Sequence, residues 1–256
     1  MSLRIANREF APRAWTVLLT GVAMAVFIAF GSWQLERGRE KQALVQAFQQ
    51  GQQSSVVLAE GVAFDDQPRY QHVRVTGSYE PGRQILLDNM PSQAGKPGYR
   101  VLTPLRRTGS DRLLLVDRGW VPLGASRATL PDVTVAADVR AVSGRLDSLP
   151  APGVRVGEAG TPGDANWPRV LNFPQQADLE RALGNPVEAR ILLLDPAATD
   201  GFERAWRPAM RFGPERHYGY AVQWFAFAIV ALVIFIALNL RRVGAGAAST
   251  TDSTAP

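Results

Sequence analysis

No charged residue stands between Ala14 and Leu35, and none between Tyr218 and Leu240. Each run is roughly 20 residues long, enough for a helix to cross a hydrocarbon core about 30 Å thick. The first run could be read as a cleaved secretory signal, because Arg4, Arg8 and Arg13 precede it and Ala29-Phe30-Gly31 is a small-x-small triplet. It is long for a signal, however, and continues without a break into Trp33-Gln34-Leu35-Glu36-Arg37. The second run could be a buried core helix, but Phe225, Phe227, Ile229, Val230, Leu232, Val233, Ile234, Phe235 and Ile236 leave it no polar side for water. Both runs therefore read as transmembrane helices.

The stretch between the spans, roughly 180 residues, has room for one extramembrane domain with its own core. The net charge is +5, and the only lysines are Lys41 and Lys96. The arginines are scattered instead of forming a stripe, which argues against a nucleic-acid partner. Cysteine is absent and histidine occurs only at His72 and His217. That excludes disulfides, thiolate nucleophiles, cysteine metal sites and any multi-histidine metal centre built by one chain. No Walker loop, HExxH or GxSxG occurs, and Gly244-Ala245-Gly246 lacks a strand-to-helix setting. Asp65-Asp66, Asp111 and Asp117 read as solvated turn residues instead of an acid and base pair. The expectation is a protein that is not an enzyme.

Short β-like runs fill the middle: Tyr70 to Ser78, Arg83 to Met90, Tyr99 to Arg106, Arg112 to Trp120, Val139 to Leu146 and Ala189 to Asp195. Turn signals such as Glu80-Pro81-Gly82, Lys96-Pro97-Gly98 and Thr108-Gly109-Ser110-Asp111 separate them. The predicted fold is a membrane protein of α+β class, with two transmembrane helices flanking one β-rich domain that forms an antiparallel barrel or sandwich with a few helices. A helix is predicted from Pro174 in its first turn to a stop at Gly184, and Leu44, Val45 and Phe48 suggest that the first membrane helix runs on, with Gly38 as a possible break. The pieces are an N-terminal tail 1–13, a span 14–35, a domain 36–217, a span 218–240 and a tail 241–256 too poor in apolar residues to order. The stretch from Ala151 to Pro168 reads as a loop. Two spans put both termini on one side. Arg4, Arg8, Arg13, Arg241 and Arg242 flank that side, while Arg37, Arg39, Lys41, Arg204, Arg207, Arg211 and Arg216 on the loop side would by bare counting reverse the positive-inside expectation. Long domains translocate largely regardless of charge, so the expectation is termini in the cytoplasm and an extracytoplasmic domain.

Where the first span ends and the second begins, polar and aromatic residues gather at one depth. Trp33, Arg37 and Lys41 follow i, i+4, i+8 with Gln34 beside them, and His217, Tyr220, Ala221 and Trp224 follow i, i+3, i+4, i+7. An ordinary interfacial belt, with Trp and Tyr at headgroup level in contact with membrane lipid, accounts for the aromatics. A histidine there also offers an axial ligand to haem iron, with Arg37, Arg211 or Arg216 available to propionates. His72, on an alternating strand, reads as a surface residue. For Arg118-Gly119-Trp120 two readings stand open, a strand end that packs the core or a contact surface for a partner or membrane.

The segment Gly31-Ser32-Trp33-Gln34-Leu35-Glu36-Arg37 with Lys41 resembles the G-x-W-Q-x-x-R-x-x-x-K signature of the Surfeit locus 1 family of cytochrome c oxidase assembly factors. Val73-Arg74-Val75-Thr76-Gly77, Val116-Asp117-Arg118-Gly119-Trp120-Val121-Pro122 and His217-Tyr218-Gly219-Tyr220-Ala221-Val222-Gln223-Trp224-Phe225 resemble further blocks of that family, in the same order. The resemblance implies an accessory protein of the cell inner membrane that binds haem a and helps it into subunit I of cytochrome c oxidase, with haem a synthase as a further partner. It carries over His217 as haem-iron ligand, and Trp33, Gln34, Arg37, Tyr220 and Trp224 form the expected surroundings. The alternative is a scaffold that stabilises oxidase subunits without holding haem. The family usually has paired asparagines before the histidine, where this chain has Glu215-Arg216, and asparagine is common where Asp117 stands, a change expected to be tolerated in a turn.

Overall fold

The structure, a computed structural model, describes residues 3–5, 8–51, 55–57, 62–64, 66–124, 126–150, 166–208, 210 and 212–242. Asp65, Arg211, most of the expected loop (151–165) and the tail from 243 onward, with Gly244-Ala245-Gly246, lie outside the described residues. In chain order the elements are β1 (Leu3–Ile5), β2 (Arg8–Phe10), α1 (Ala14–Gln50), β3 (Ser55–Val57), β4 (His72–Tyr79), β5 (Ile85–Leu87) and β6 (Gly98–Arg107). Then follow β7 (Leu113–Pro122), β8 (Val139–Ser148), β9 (Arg169–Leu171), α2 (Gln176–Leu183), β10 (Val187–Leu194), α3 (Pro214–Asn239) and β11 (Leu240–Arg242). They form two compact units, one from Met1–Ala43 with Met210–Pro256, the other from Leu44–Ala209.

The first unit contains both apolar helices. Their best windows have mean hydropathy 2.0 and 2.6, and their outer faces are bare, with Leu18 69%, Val222 68% and Leu238 74% exposed. Water does not tolerate such a surface over two helices, and lipid does, so these are the spans of a membrane protein. The helix α1 continues unbroken through Gly38. That glycine serves packing: a Cβ there would stand 2.5 Å from the Tyr218 ring, and one at Gly31 would stand 2.7 Å from the Phe225 ring. On α3 the buried alanines, Ala221 and Ala228, are also seven apart. The two helices thus meet along a seam in which the small residues of α1 receive aromatic rings from α3.

The second unit is built on a barrel, as one of the two predicted β architectures required. The strand β4 pairs antiparallel with β8, β8 antiparallel with β10, β10 parallel with β7, and β7 antiparallel with β6. The far end of β6 returns to β4 through Gly77↔Arg107 and Tyr79↔Leu105 and closes the ring. The near end of β6 instead carries β5, which carries β9, and β3 lies on β4. Three pairings are parallel, β10–β7, β5–β9 and β3–β4, so the sheet is mixed where the sequence suggested antiparallel throughout. A five-stranded Greek-key ring of this kind is the architecture of OB-type barrels.

Burial alternates along β4, which sends Val73, Val75 and Tyr79 inward to Phe64, Leu105, Leu114, Val116, Val142, Leu146, Leu192 and Leu194. The runs Leu113-Leu114-Leu115-Val116 and Ile191-Leu192-Leu193-Leu194 do not alternate, because β7 and β10 are covered on both faces. Outside the ring Leu113, Leu115, Ile191 and Leu193 pack against Leu179 and Leu183 of α2. That helix starts after Gln175, whose side chain and Asp178 form a capping box, so Pro174 precedes it instead of opening it. It stops, as expected, at Gly184 with φ 64°, whose N–H donates to the Glu180 carbonyl.

Candidate functional site

His217 lies in the first turn of α3, which begins at Pro214 after Gly213. Gln34 lies on α1 at the end of its uncharged stretch, two residues before Glu36, and the two side chains meet with His217 Nδ1 2.9 Å from Gln34 Oε1. A carbonyl oxygen can only accept, so Nδ1 is the donor in this pair and Nε2 is left for another partner. An imidazole held this way through one nitrogen is the usual form of a metal-ligating histidine. The imidazole thus donates its hydrogen bond to α1.

The other candidates are distributed around this pair. Trp224 reaches α1 with its ring stacked on Phe30 at 5.0 Å between centroids and near Phe27 at 5.9 Å. Trp33 is 49% exposed and lies under its own neighbour Arg37, whose guanidinium is 5.9 Å from the ring and pairs with Glu40 at 2.8 Å. Tyr220 is exposed, with the Arg216 guanidinium 5.9 Å from its ring and 4.0 Å from that of Phe212. The structure therefore brings Gln34 to His217 and Trp224 to α1, and sets Trp33, Arg37 and Tyr220 on exposed flanks. The aromatic partners Phe27 and Phe30 were not singled out from sequence, although the seven-residue spacing of Gly31 and Gly38 marked the seam that aligns them.

His72 is not a free surface residue: its Nε2 lies 2.9 Å from both carboxylate oxygens of Asp195, and its side chain is only 16% exposed. Strand alternation put it outside the barrel, but the end of β10 runs past it and supplies the acid. Among the described residues no three potential metal ligands gather.

Asp117 is the clearest departure from expectation. Asp111 is exposed as predicted, whereas Asp117 is fully buried on β7, pairs with Arg100 and accepts the Gly119 N–H at 3.0 Å. The irregular register of β6 between Arg100 and Leu102 brings that guanidinium over it. A cavity of about 240 Å³ above the pair is lined by Arg100, Trp120, Asp147, Glu203 and Trp206. Two of its charges are paired, Arg100 with Asp117 and Asp147 with Arg69 at 2.7 Å. Burial pushes the Asp117 carboxyl up from 3.8 although Arg100 opposes it. An aspartate with a raised folded-state pKa stabilises the fold below its ordinary value and loses that contribution as pH rises through the raised one. Asp117→Asn keeps the acceptor for Gly119 and removes the buried charge, so it is expected to cost no more than about 1 kcal/mol at neutral pH. In a pH series of melting curves the wild type should gain on the variant as pH falls, and a pH-independent difference would sink the assignment.

Arg118-Gly119-Trp120 resolves in favour of packing. Arg118 is 3% exposed and donates to the carbonyls of Asp200 (2.7 Å), Val133 (2.8 Å) and Thr134 (3.2 Å). Gly119 has φ 112°, and a Cβ there would stand 2.7 Å from the Glu203 carbonyl oxygen. Trp120 exchanges backbone bonds with Glu203 and donates Nε1–H to the Met90 carbonyl at 2.8 Å.

Comparison with known proteins gives one consistent result. A family model described as the SURF1 family matches residues 21–229. A SURF1-like protein of Rickettsia conorii is 28% identical over 237 residues, covering 88% of this chain and 92% of that protein. One of Rickettsia felis is 35% identical over 107 residues, a match that spans 41% of this chain and about half, 46%, of the relative. One of Monosiga brevicollis is 24% identical over 95% of this chain and 93% of its own length.

Proposed function

This chain belongs to the SURF1 family, and on that footing we propose that it is a membrane-bound assembly factor for haem-copper cytochrome c oxidase that binds haem a through His217 and assists its insertion into subunit I. The observation that supports the reading is the Nδ1 contact with Gln34, which orients the ring and leaves its Nε2 side for another partner. Haem a is the cargo, and its iron accepts an imidazole nitrogen as axial ligand. The residues fit such a group: Gln34 fixes the ring, Trp224 and the exposed Tyr220 and Trp33 offer apolar faces, and Arg37 and Arg216 lie near for propionates. The protein acts by holding and releasing, not by catalysis. In this reading the spans lie in the cell inner membrane with both termini cytoplasmic, the barrel is extracytoplasmic, and haem a synthase supplies the cargo.

A second reading, a scaffold that steadies oxidase subunits and holds no haem, draws on the edge strand β3, where Val57 is 75% exposed. The full chain purified in detergent from cells making haem a separates the two. The first reading expects a haem a absorption spectrum in stoichiometric amount, and haem-deficient oxidase in a deletion strain. A colourless protein, with unassembled but haem-filled subunits in the deletion strain, would establish the scaffold instead.

A further inference from the structure

The uncharged runs of the two spans contain three side-chain amides, Gln34, Gln223 and Asn239. Two of them are partnered. Gln34 Oε1 lies 2.9 Å from His217 Nδ1, and Asn239, 5% exposed, donates to the Phe235 carbonyl at 2.8 Å. Gln223 is exposed on α3, and its side chain makes no hydrogen bond among the described residues. It stands five residues inside the second run, about 7.5 Å from its start, at a depth that lipid and not water surrounds. An amide there has two N–H donors and a carbonyl acceptor to satisfy, and each is costly to leave without a partner in hydrocarbon. The function proposed above assigns this residue no role.

The surface around Gln223 is shaped to receive a helix. Gly219, Gln223, Ala226, Val230, Val233 and Ala237 are all exposed and follow one another alternately by four and three residues. At about 100° per residue they fall within about 40° of one line along α3. That line runs opposite Ala221 and Ala228, the buried positions of the seam with α1. A Cβ at Gly219 would meet no atom within 4 Å, so the backbone there is open to close approach. Bulkier exposed side chains, Val222 and Ile229 on one flank and Phe227 and Ile234 on the other, make the line a shallow groove with the amide in it.

We propose that this face of α3 joins two copies of the chain in the membrane, with their Gln223 amides hydrogen-bonded to each other across a twofold axis along the membrane normal. Two copies cross the bilayer in the same direction, so that axis sets each Gln223 opposite the other at one depth. An amide is both donor and acceptor, which makes the residue its own complement. Alternating steps of four and three keep one line of a helix facing the same line of a second helix crossed at about 20°. Gly219 and Ala226, on either side of the amide, let the two backbones come close enough for it to reach.

The sequence contains no cysteine, so a single introduced thiol reports on its own position. In the full chain reconstituted in liposomes and oxidised with copper phenanthroline, Ala226→Cys and Val230→Cys should give disulfide-linked dimers. Ile229→Cys, between them in depth but about 80° off the line, should not. Energy transfer between copies carrying donor and acceptor labels, followed as added lipid dilutes the protein, reads the affinity. Gln223→Leu should weaken association by about tenfold, and Gln223→Asn, which keeps an amide, should retain most of it. A side chain that faced only lipid would give the same affinity in all three. No crosslink at Ala226 and Val230, a crosslink as strong at Ile229, or association unchanged in Gln223→Leu would overturn the proposal.

Discussion

Arg118→Met is expected to destabilise the barrel by about 3–5 kcal/mol, because the methionine fills the volume but leaves buried carbonyls without a donor. Three of them, those of Asp200, Val133 and Thr134, belong to two separate segments that the guanidinium holds against the end of β7. The same group lies 4.9 Å from the Phe202 ring and 5.9 Å from that of Tyr79, whose phenol burial pushes up to about 12 and so keeps neutral. A drop in melting temperature of about 10 °C follows for a chain of this size. Arg118→Lys should recover only part of it, since one ammonium cannot reach three carbonyls that a planar fork serves in different directions. Melting of the full chain in detergent, followed by tryptophan fluorescence, reads the effect. An unchanged melting temperature with lost oxidase assembly would mean that Arg118 belongs to a partner surface after all.

The barrel strands were legible because their burial writes itself into residue type. Val73, Val75 and Tyr79 alternate with polar neighbours, and the unbroken leucine runs of β7 and β10 mark strands covered twice. Closure was not legible, since it depends on β6 serving β5 through Arg100–Leu102 and β4 through Leu105–Arg107, a division that residue types do not record. An irregularity in the pairing of β6 with β7 falls between Arg100 and Leu102. The same irregularity carries Arg100 over Asp117, so a residue that reads as a turn acid is a buried one. The terminal sheet escaped notice because strands of three residues are too short to show a period. At the candidate site the aromatic and basic residue types were readable from helical spacing. Which of them touch was not, because spacing fixes the face of each helix but not the alignment of one against the other. Gly31 and Gly38 set that alignment by accepting Phe225 and Tyr218, and so bring Gln34 to His217.

His217→Ala should leave the chain purified from haem a-producing cells without haem, while His72→Ala should leave the haem content unchanged. His72 is the only other histidine in the sequence, and its Nε2 is engaged by Asp195. The sharper test lies at Gln34, which on the proposed reading never touches iron and acts only by orienting the imidazole. Gln34→Leu removes the acceptor, frees the ring to rotate and to exchange tautomers, and should weaken haem retention by about 10–100-fold, the usual cost of losing the outer partner of a metal-bound histidine. Gln34→Glu keeps an acceptor at the same reach and makes it anionic, which raises the basicity of the ligand. It should restore retention and shift the absorption bands of the bound haem. A residue that merely packed the two helices would respond in the opposite order, since leucine suits an apolar seam and a carboxylate does not. Retention unchanged in Gln34→Leu and lost in Gln34→Glu would therefore assign Gln34 to the seam and remove the support for His217 as ligand.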